Sequence, residues 1–302
     1  MEIQGRAYAV QIRHAVRHPP ETPRLVMVSH VVNETAAAIL HTSVRAIRHF
    51  TRGPHELWIV DNNSPMDFIS PFLDLPDVNF VLNRTEPLPP GVDHGSQTPS
   101  QQEWGSYANA IALELAVRLV DPATCFFMSM HMDSLPCSDS WLDFLISHLT
   151  DPKVHGTSAK KSVAAAGVRM DTTRRPDGVL HVLGYVVDFQ IFQRLGLTFF
   201  PDLPAFDVGD KVTVGLRLAG FDVFSCRNTL WEPELEKLID PRSPYRNLKV
   251  DRSLDNNNNV IFAHLGRGVR KAAGAHSKGP TVEEWVAAAE SNMLKSHPRS
   301  KG

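Results

Sequence analysis

Cysteine is scarce in this 302-residue chain: Cys125, Cys137 and Cys226 are too few and too scattered for a disulfide framework or a four-ligand zinc site. No run approaches the roughly 18 apolar residues needed to cross a bilayer. The N-terminus lacks a secretory core, because Ala7-Tyr8-Ala9-Val10 is cut short by Gln11 and Arg13. Charge of one sign is missing too. With 31 Lys+Arg against 33 Asp+Glu the net charge is −2, without the basic excess that a nucleic-acid-coating protein needs to displace counterions. These absences read as a reduced, cytoplasmic protein with no transmembrane segment and no nucleic-acid partner. What remains is an ordinary globular mix, 42% apolar and 21% charged, long enough for one large domain or two small ones.

From Arg24 the chain alternates strand-like and helix-like stretches. Leu25-Val26-Met27-Val28 and Leu57-Trp58-Ile59-Val60 are short apolar runs of the kind buried on both faces, Asn79-Phe80-Val81-Leu82 looks like a third, and Cys125 to Met130 is the strongest. Asn33 caps a helix through Phe50 with Leu40, Val44 and Ile47 on one side, and a second helix is expected from Gly105 to Val120. A polar loop fills residues 85–103, and Asn256 to Asn259 form another. Strands alternating with helices of this length imply βαβ units and a mainly parallel sheet.

In such sheets ligands bind beyond the carboxyl ends of the strands. Three polar clusters fall there: Ser29 to Glu34, Asp61 to Ser64, and His131 to Ser134. Glycine is absent where two common chemistries need it. The first strand runs into Ser29-His30-Val31-Val32-Asn33-Glu34 without a Gly-x-Gly-x-x-Gly turn, and no Gly-x-x-x-x-Gly-Lys-Ser/Thr loop occurs. A dinucleotide-dependent dehydrogenase and a P-loop NTPase are thereby disfavoured. The 14 histidines show no His-Glu-x-x-His spacing, so a metallohydrolase lacks support.

Val28-Ser29-His30-Val31-Val32-Asn33-Glu34 followed by Glu56-Leu57-Trp58-Ile59-Val60-Asp61-Asn62-Asn63-Ser64 resembles the opening of family-2 glycosyltransferases with the GT-A fold. Gly105-Ser106-Tyr107-Ala108-Asn109 is similar to that family's Gly-x-x-x-Asn helix start. Phe126 to Ser134 sits where the family carries Asp-x-Asp, and Asp207-Val208-Gly209-Asp210 with Arg217 and Gly220 is similar to its Glu-Asp…Arg…Gly-Tyr segment. The resemblance spans residues 24–268. It implies a GT-A (Rossmann-like) α/β/α sandwich over 24–270, with a nucleotide-binding half over 24–135 and an acceptor half over 136–270. Residues 1–23 are read as an N-terminal arm and 271–302 as a C-terminal helix and tail.

The resemblance also implies a function: inverting, hexosyltransferase-like transfer of a sugar from a UDP-, dTDP- or GDP-linked donor to an acceptor hydroxyl. The acceptor class stays open among glycans, small molecules and lipid-linked sugars met at the membrane surface. Asp61 is assigned to a base N–H, with an Asx-turn into Asn62-Asn63-Ser64 as its structural alternative. Ser29, Val31 and Glu34 would frame base and ribose, and Asn109 the donor. Asp133, the last acid of Asp-x-Asp, would hold Mn2+ or Mg2+ together with His264 from the run Val260 to Gly268, and Arg267 would touch the diphosphate.

Two departures bear on this reading. His131 stands at the first acid of Asp-x-Asp, where imidazole is a poor magnesium ligand but suits manganese. Gly209 replaces the Glu before Asp210. Asp210 is expected to be the base for the acceptor proton and Asp207 its competitor, whereas a structural Asp210 would serve as a helix-terminus acid. A non-catalytic nucleotide-sugar-binding scaffold is the alternative function. Trp231-Glu232 could contact an acceptor. Thr281 to Leu294 is an amphipathic helix, suited first to packing on the domain and second to a homodimer contact.

Overall fold

A computed structural model describes residues 1–88, 101–150, 162–172 and 175–296. Most of the 85–103 loop and the last residues of the C-terminal tail lie outside this set.

In chain order the strands are β1 (Glu2–Ile3), β2 (Arg6–Ala7), β3 (Val10–Arg13), β4 (Arg24–Ser29), β5 (Glu56–Asn62), β6 (Val78–Asn83), β7 (Phe126–His131), β8 (Ser134–Pro136), β9 (Val163–Thr172), β10 (Arg175–Asp188), β11 (Asp222–Asn228), β12 (Asp251–Leu254) and β13 (Val260–His264). The helices are α1 (Glu34–Phe50), α2 (Met66–Leu73), α3 (Gln101–Leu119), α4 (Trp141–Thr150), α5 (Phe189–Arg194), α6 (Asp210–Leu218), α7 (Gly268–Ala272) and α8 (Val282–Ser296).

Eleven strands form one sheet in the order β3-β6-β5-β4-β7-β10-β9-β11-β12-β13-β8. The parallel arrangement implied by the strand–helix rhythm is carried by β6-β5-β4-β7, with α1, α2 and α3 as the crossovers. Beyond β7 the ladder is mixed: β10 returns antiparallel along β7, and β12 and β13 form an antiparallel pair. Alternate side chains of the central strands enter two separate apolar layers. Leu25, Met27, Leu57 and Ile59 pack with α1, while Val26, Val28, Trp58 and Val60 pack with α3. Since successive strand residues point to opposite faces, a sheet covered on both sides must be apolar throughout, as the four-residue runs are. The sandwich follows from that pattern.

The cap expected at Asn33 is formed. Asn33 Oδ1 accepts the Ala36 N–H at 2.9 Å and starts α1. Thr281 and Glu284 form a reciprocal capping box at the start of α8, whose Val282, Trp285, Ala289 and Met293 are buried against the domain. Two elements differ from expectation. The helix expected from Gly105 begins at Gln101, so the Gly-x-x-x-Asn stretch lies inside α3 rather than at its start. Within the arm, Val10–Arg13 joins the sheet as an edge strand on β6, although its exposed residues give no apolar period to read.

Candidate functional site

Two polar clusters sit on the carboxyl edge of β5-β4-β7. The first is built around Asp61, which lies opposite Ser29 in the β4–β5 register and is fully buried. Its carboxylate accepts the Ser64 N–H at 3.1 Å, the Ser64 hydroxyl, and the Ser29 hydroxyl at 3.4 Å, and lies 3.6 Å from the Arg84 guanidinium. Ser64 Oγ in turn accepts the Val31 N–H at 2.7 Å. Burial pushes the Asp61 carboxyl up, against the opposing pull of the Ser64 hydrogen bonds and Arg84. Ser29, Val31 and Asp61 are therefore brought together as one rigid wall, and the Asx-turn is formed. For Asp61 to reach a base N–H directly, it would have to give up these bonds. Glu34 is exposed in the first turn of α1, and Asn109 is half-buried on α3, beside the Ala108 carbonyl that accepts Asn62 Nδ2.

The second cluster joins the end of β7 to β13. Asp133 Oδ2 accepts the Gly268 N–H at 2.8 Å and lies 3.5 Å from His264 Nε2. His264 Nδ1 faces Asp251 at 3.8 Å, its register partner on β12. Burial alone would raise Asp133, but His264, His131 and the Gly268 N–H more than offset it and hold the carboxyl well below the usual range. Burial would lower His264, yet Asp133 and then Asp251 lift it to about 9. His131 goes the other way: burial takes it down to about 4, with His264 adding to the fall and Asp133 and Asp207 opposing it. Its Nε2 is buried with no hydrogen-bond partner among the described residues.

Glycine is required at 268 by this geometry. A Cβ there would stand 2.5 Å from Asp133 Cβ and 2.9 Å from its Oδ2. Gly268→Ala is expected to displace the Asp133 carboxylate and lower stability by about 1–3 kcal/mol, read as a drop in melting temperature; an unchanged melt would contradict the contact. Arg267, just ahead of it, is exposed with a left-handed backbone (φ 57°).

The histidines also predict a stability profile for the protein in chelator. From an ordinary value of 6.5, the His264 contribution is present below that pH and lost as pH rises toward about 9. His131, held to about 4, costs stability as pH falls from 6.5 toward that value. Thermal melts across this range should peak near pH 6.5, and a steady rise from neutral to alkaline pH would contradict the pairing.

The acids assigned to the acceptor side lie on the turn into α6. Asp207 Oδ1 accepts the Ser106 hydroxyl at 2.5 Å and the Val208 N–H at 2.7 Å, while Asp210 Oδ2 accepts the Asp207 N–H at 2.9 Å. Asp210 is the first residue of α6, and its charge acts on the buried Tyr185 phenol. Gly209 adopts φ 77°, and a Cβ there would run into Val182 Cγ1. The Glu expected at this position has no room. Trp231 Nε1 donates to the Arg169 carbonyl at 3.0 Å and Glu232 pairs with Arg169 at 3.3 Å, so this aromatic–acid pair is tied into the sheet.

Two site residues were invisible in the sequence. His181 reaches the cluster on β10, its ring 6.1 Å from His131 and 6.2 Å from His264. Asp251 arrives on β12. Both depend on antiparallel pairings that no local pattern announces.

No protein-family model and no curated protein sequence matches the chain. Among solved structures it is similar to the mannosyltransferase PcManGT from Pyrobaculum calidifontis in complex with GDP-Man and Mn2+, at 15% identity over 92% of this chain and 72% of that one, with a TM-score of 0.44. It is similar to the galactosyltransferase LgtC with donor and acceptor sugar analogs, at 12% identity over 88% and 99% of the two chains and a TM-score of 0.42. It is likewise similar to a mutant Drosophila beta1,4-galactosyltransferase 7 in complex with manganese, UDP-Gal and xylobiose, at 11% identity over 88% and 79% and a TM-score of 0.41. At these scores the likeness is one of outline and decides nothing about chemistry.

Proposed function

We propose that this chain transfers a sugar from a nucleoside-diphosphate donor to an acceptor hydroxyl. The observation that carries the reading is the juxtaposition of the Ser29–Asp61–Ser64 wall and the Asp133–His264 pair on one strand edge. Asp61 lies on β5 and Asp133 follows β7, the two strands that flank β4, so roughly two strand spacings, or about 10 Å, lie between those strand ends. That interval suits a ligand with a neutral, flat end and a doubly charged end. Asp61 would shape the base pocket by fixing Ser64 and the Val31 N–H, with Glu34 and Asn109 toward the ribose and sugar. Arg267, exposed above the second cluster, would meet the diphosphate.

A divalent ion fits the second cluster. Asp133 Oδ2 and His264 Nε2, 3.5 Å apart, have the separation of two donors sharing one ion at about 2.1 Å, though no three metal-ligating side chains among the described residues already close around a point. When bound there, Mn2+ or Mg2+ would neutralise charge on the departing diphosphate. The chain's own chemistry is the proton transfer. Asp210 would take the acceptor O–H proton as that oxygen bonds the anomeric carbon, and the carbon–oxygen bond to the donor breaks with its electron pair leaving on the diphosphate. Inversion follows from this single displacement. Asp207 is the competing base.

A non-catalytic nucleotide-sugar-binding role has one specific observation behind it: hydrogen bonds to backbone N–H groups engage both Asp207 and Asp210 in the local turn. Incubating the full chain with UDP-, dTDP- and GDP-sugars, acceptor pools and Mn2+ separates the readings. Nucleoside diphosphate release that depends on acceptor supports transfer. A rise in melting temperature with a nucleotide but no turnover supports the scaffold. Neither response would overturn both.

A further inference from the structure

A cavity opens at the far end of β13 from His264. Val260 lines it at the start of that strand, and His264 stands four residues on, about 14 Å away at the rise of an antiparallel strand. Its volume is about 440 Å³, within the range of small-molecule sites. Four parts of the chain meet there: the residues after β8, the stretch 239–245, the Asn258-Asn259 turn and the last turns of α8. Asn292 Nδ2 donates to the Cys137 carbonyl at 2.8 Å and Lys295 Nζ to the Arg242 carbonyl at 2.9 Å, so α8 ties these walls together.

Arg242 and Lys295 bring two positive charges to the lining, against the single carboxylate of Asp240. That carboxylate is taken up by Arg242 at 2.8 Å, and no acid forms an ion pair with Lys295 among the described residues. The asparagines are half used. Asn258 Oδ1 accepts Arg227 Nη1 at 2.8 Å, leaving its amide N–H groups, and Asn259 Nδ2 donates to Asp255 at 2.9 Å, leaving its carbonyl oxygen. Tyr245 is fully buried, and its hydroxyl has no nitrogen or oxygen partner among the described residues, only the weakly bonding Cys137 thiol. A buried hydroxyl left so is costly unless a ligand satisfies it. Amide donors and acceptors side by side suit hydroxyl groups, which do both, and the surplus positive charge suits one anionic group.

We infer that this cavity is a second binding site, distinct from the strand-edge site, for a polyhydroxylated ligand bearing one anionic group: a sugar acid or a sugar phosphate. The inference goes beyond sugar transfer and stands without it.

The test is calorimetric titration of the full chain with glucuronate, glucose 6-phosphate, glucose and inorganic phosphate, each repeated in saturating UDP and MnCl2. At least one charged sugar should bind about tenfold more tightly than glucose and than phosphate, the scale of one charge-assisted hydrogen bond. UDP with MnCl2 should not displace it, and which of the two sugars binds identifies the anion. Arg242→Gln and Lys295→Gln, at exposed positions, should bring the charged sugar down toward glucose, while Asp133→Asn leaves its affinity unchanged. Tyr245→Phe should weaken it without lowering the melting temperature of the ligand-free chain. Displacement by UDP, or loss in Asp133→Asn, would return the ligand to the strand-edge site and overturn the inference. So would phosphate binding as tightly as the charged sugars, the mark of an adventitious ion only. Binding of neither charged sugar, or unaltered affinity in all three cavity variants, would overturn it as well.

Discussion

Asp133→Asn is expected to abolish metal-dependent donor binding while leaving the fold intact. The amide oxygen can still accept the Gly268 N–H, now at 2.8 Å from Oδ2, so the turn into α7 should persist. What disappears is the negative charge opposite His264 and one hard oxygen donor. Loss of an outer-shell partner alone costs roughly 10–100-fold in metal affinity, so removal of the ligand charge should cost at least about 100-fold. The measurement is donor affinity with Mn2+ and with chelator. In wild type the two differ; in the variant they should coincide at the weaker value, in a protein that still melts cooperatively but at a lower temperature, because the charge paired with His264 is gone. Unchanged Mn2+-dependent affinity would move the metal elsewhere.

Asp210→Asn separates binding from chemistry. Its side chain can still accept the Asp207 N–H that Oδ2 holds at 2.9 Å, so the entry to α6 is preserved, and no donor contact is assigned to it. Donor affinity should therefore be unchanged while transfer falls by about 10²–10⁴-fold, the range for losing a general base. Asp207→Asn provides the comparison, since Asp207 is anchored by Ser106 and Val208. A normal rate in the Asp210 variant with collapse in the Asp207 variant would reassign the base. Full activity in both would favour a base from outside this turn.

Much of the fold was legible because the physics was local. Leu25 to Val28 and Leu57 to Val60 are apolar at every position, and a strand covered on both faces has no alternative pattern. Asn33 announces its helix through a side chain that satisfies a backbone N–H group, and the stretch from Thr281 announces its own through its apolar period. Polar clusters at the ends of those strands led directly to Ser29, Asp61 and Asp133. Resemblance added His264, on a strand whose partner could not be read.

Long-range pairing was not legible. The return of β10 along β7 brings His181 to His131, and the β12–β13 register brings Asp251 to His264. Neither residue is marked by its neighbours in the chain. Gly209 shows the converse: it looked like a lost acid, and the structure gives a steric reason, since Val182 fills the space a side chain would need. Asp61 carried two readings, of which the Asx-turn is visible and the base contact awaits a ligand.

A structure of the full chain with a bound nucleoside diphosphate and Mn2+ addresses the central assignment directly. The account requires the base against Val31 and Ser64 and the diphosphate beside Asp133, His264 and Arg267, spanning the carboxyl ends of β5, β4 and β7. A nucleotide seated on any other surface, or phosphates remote from Asp133 and His264, would contradict it.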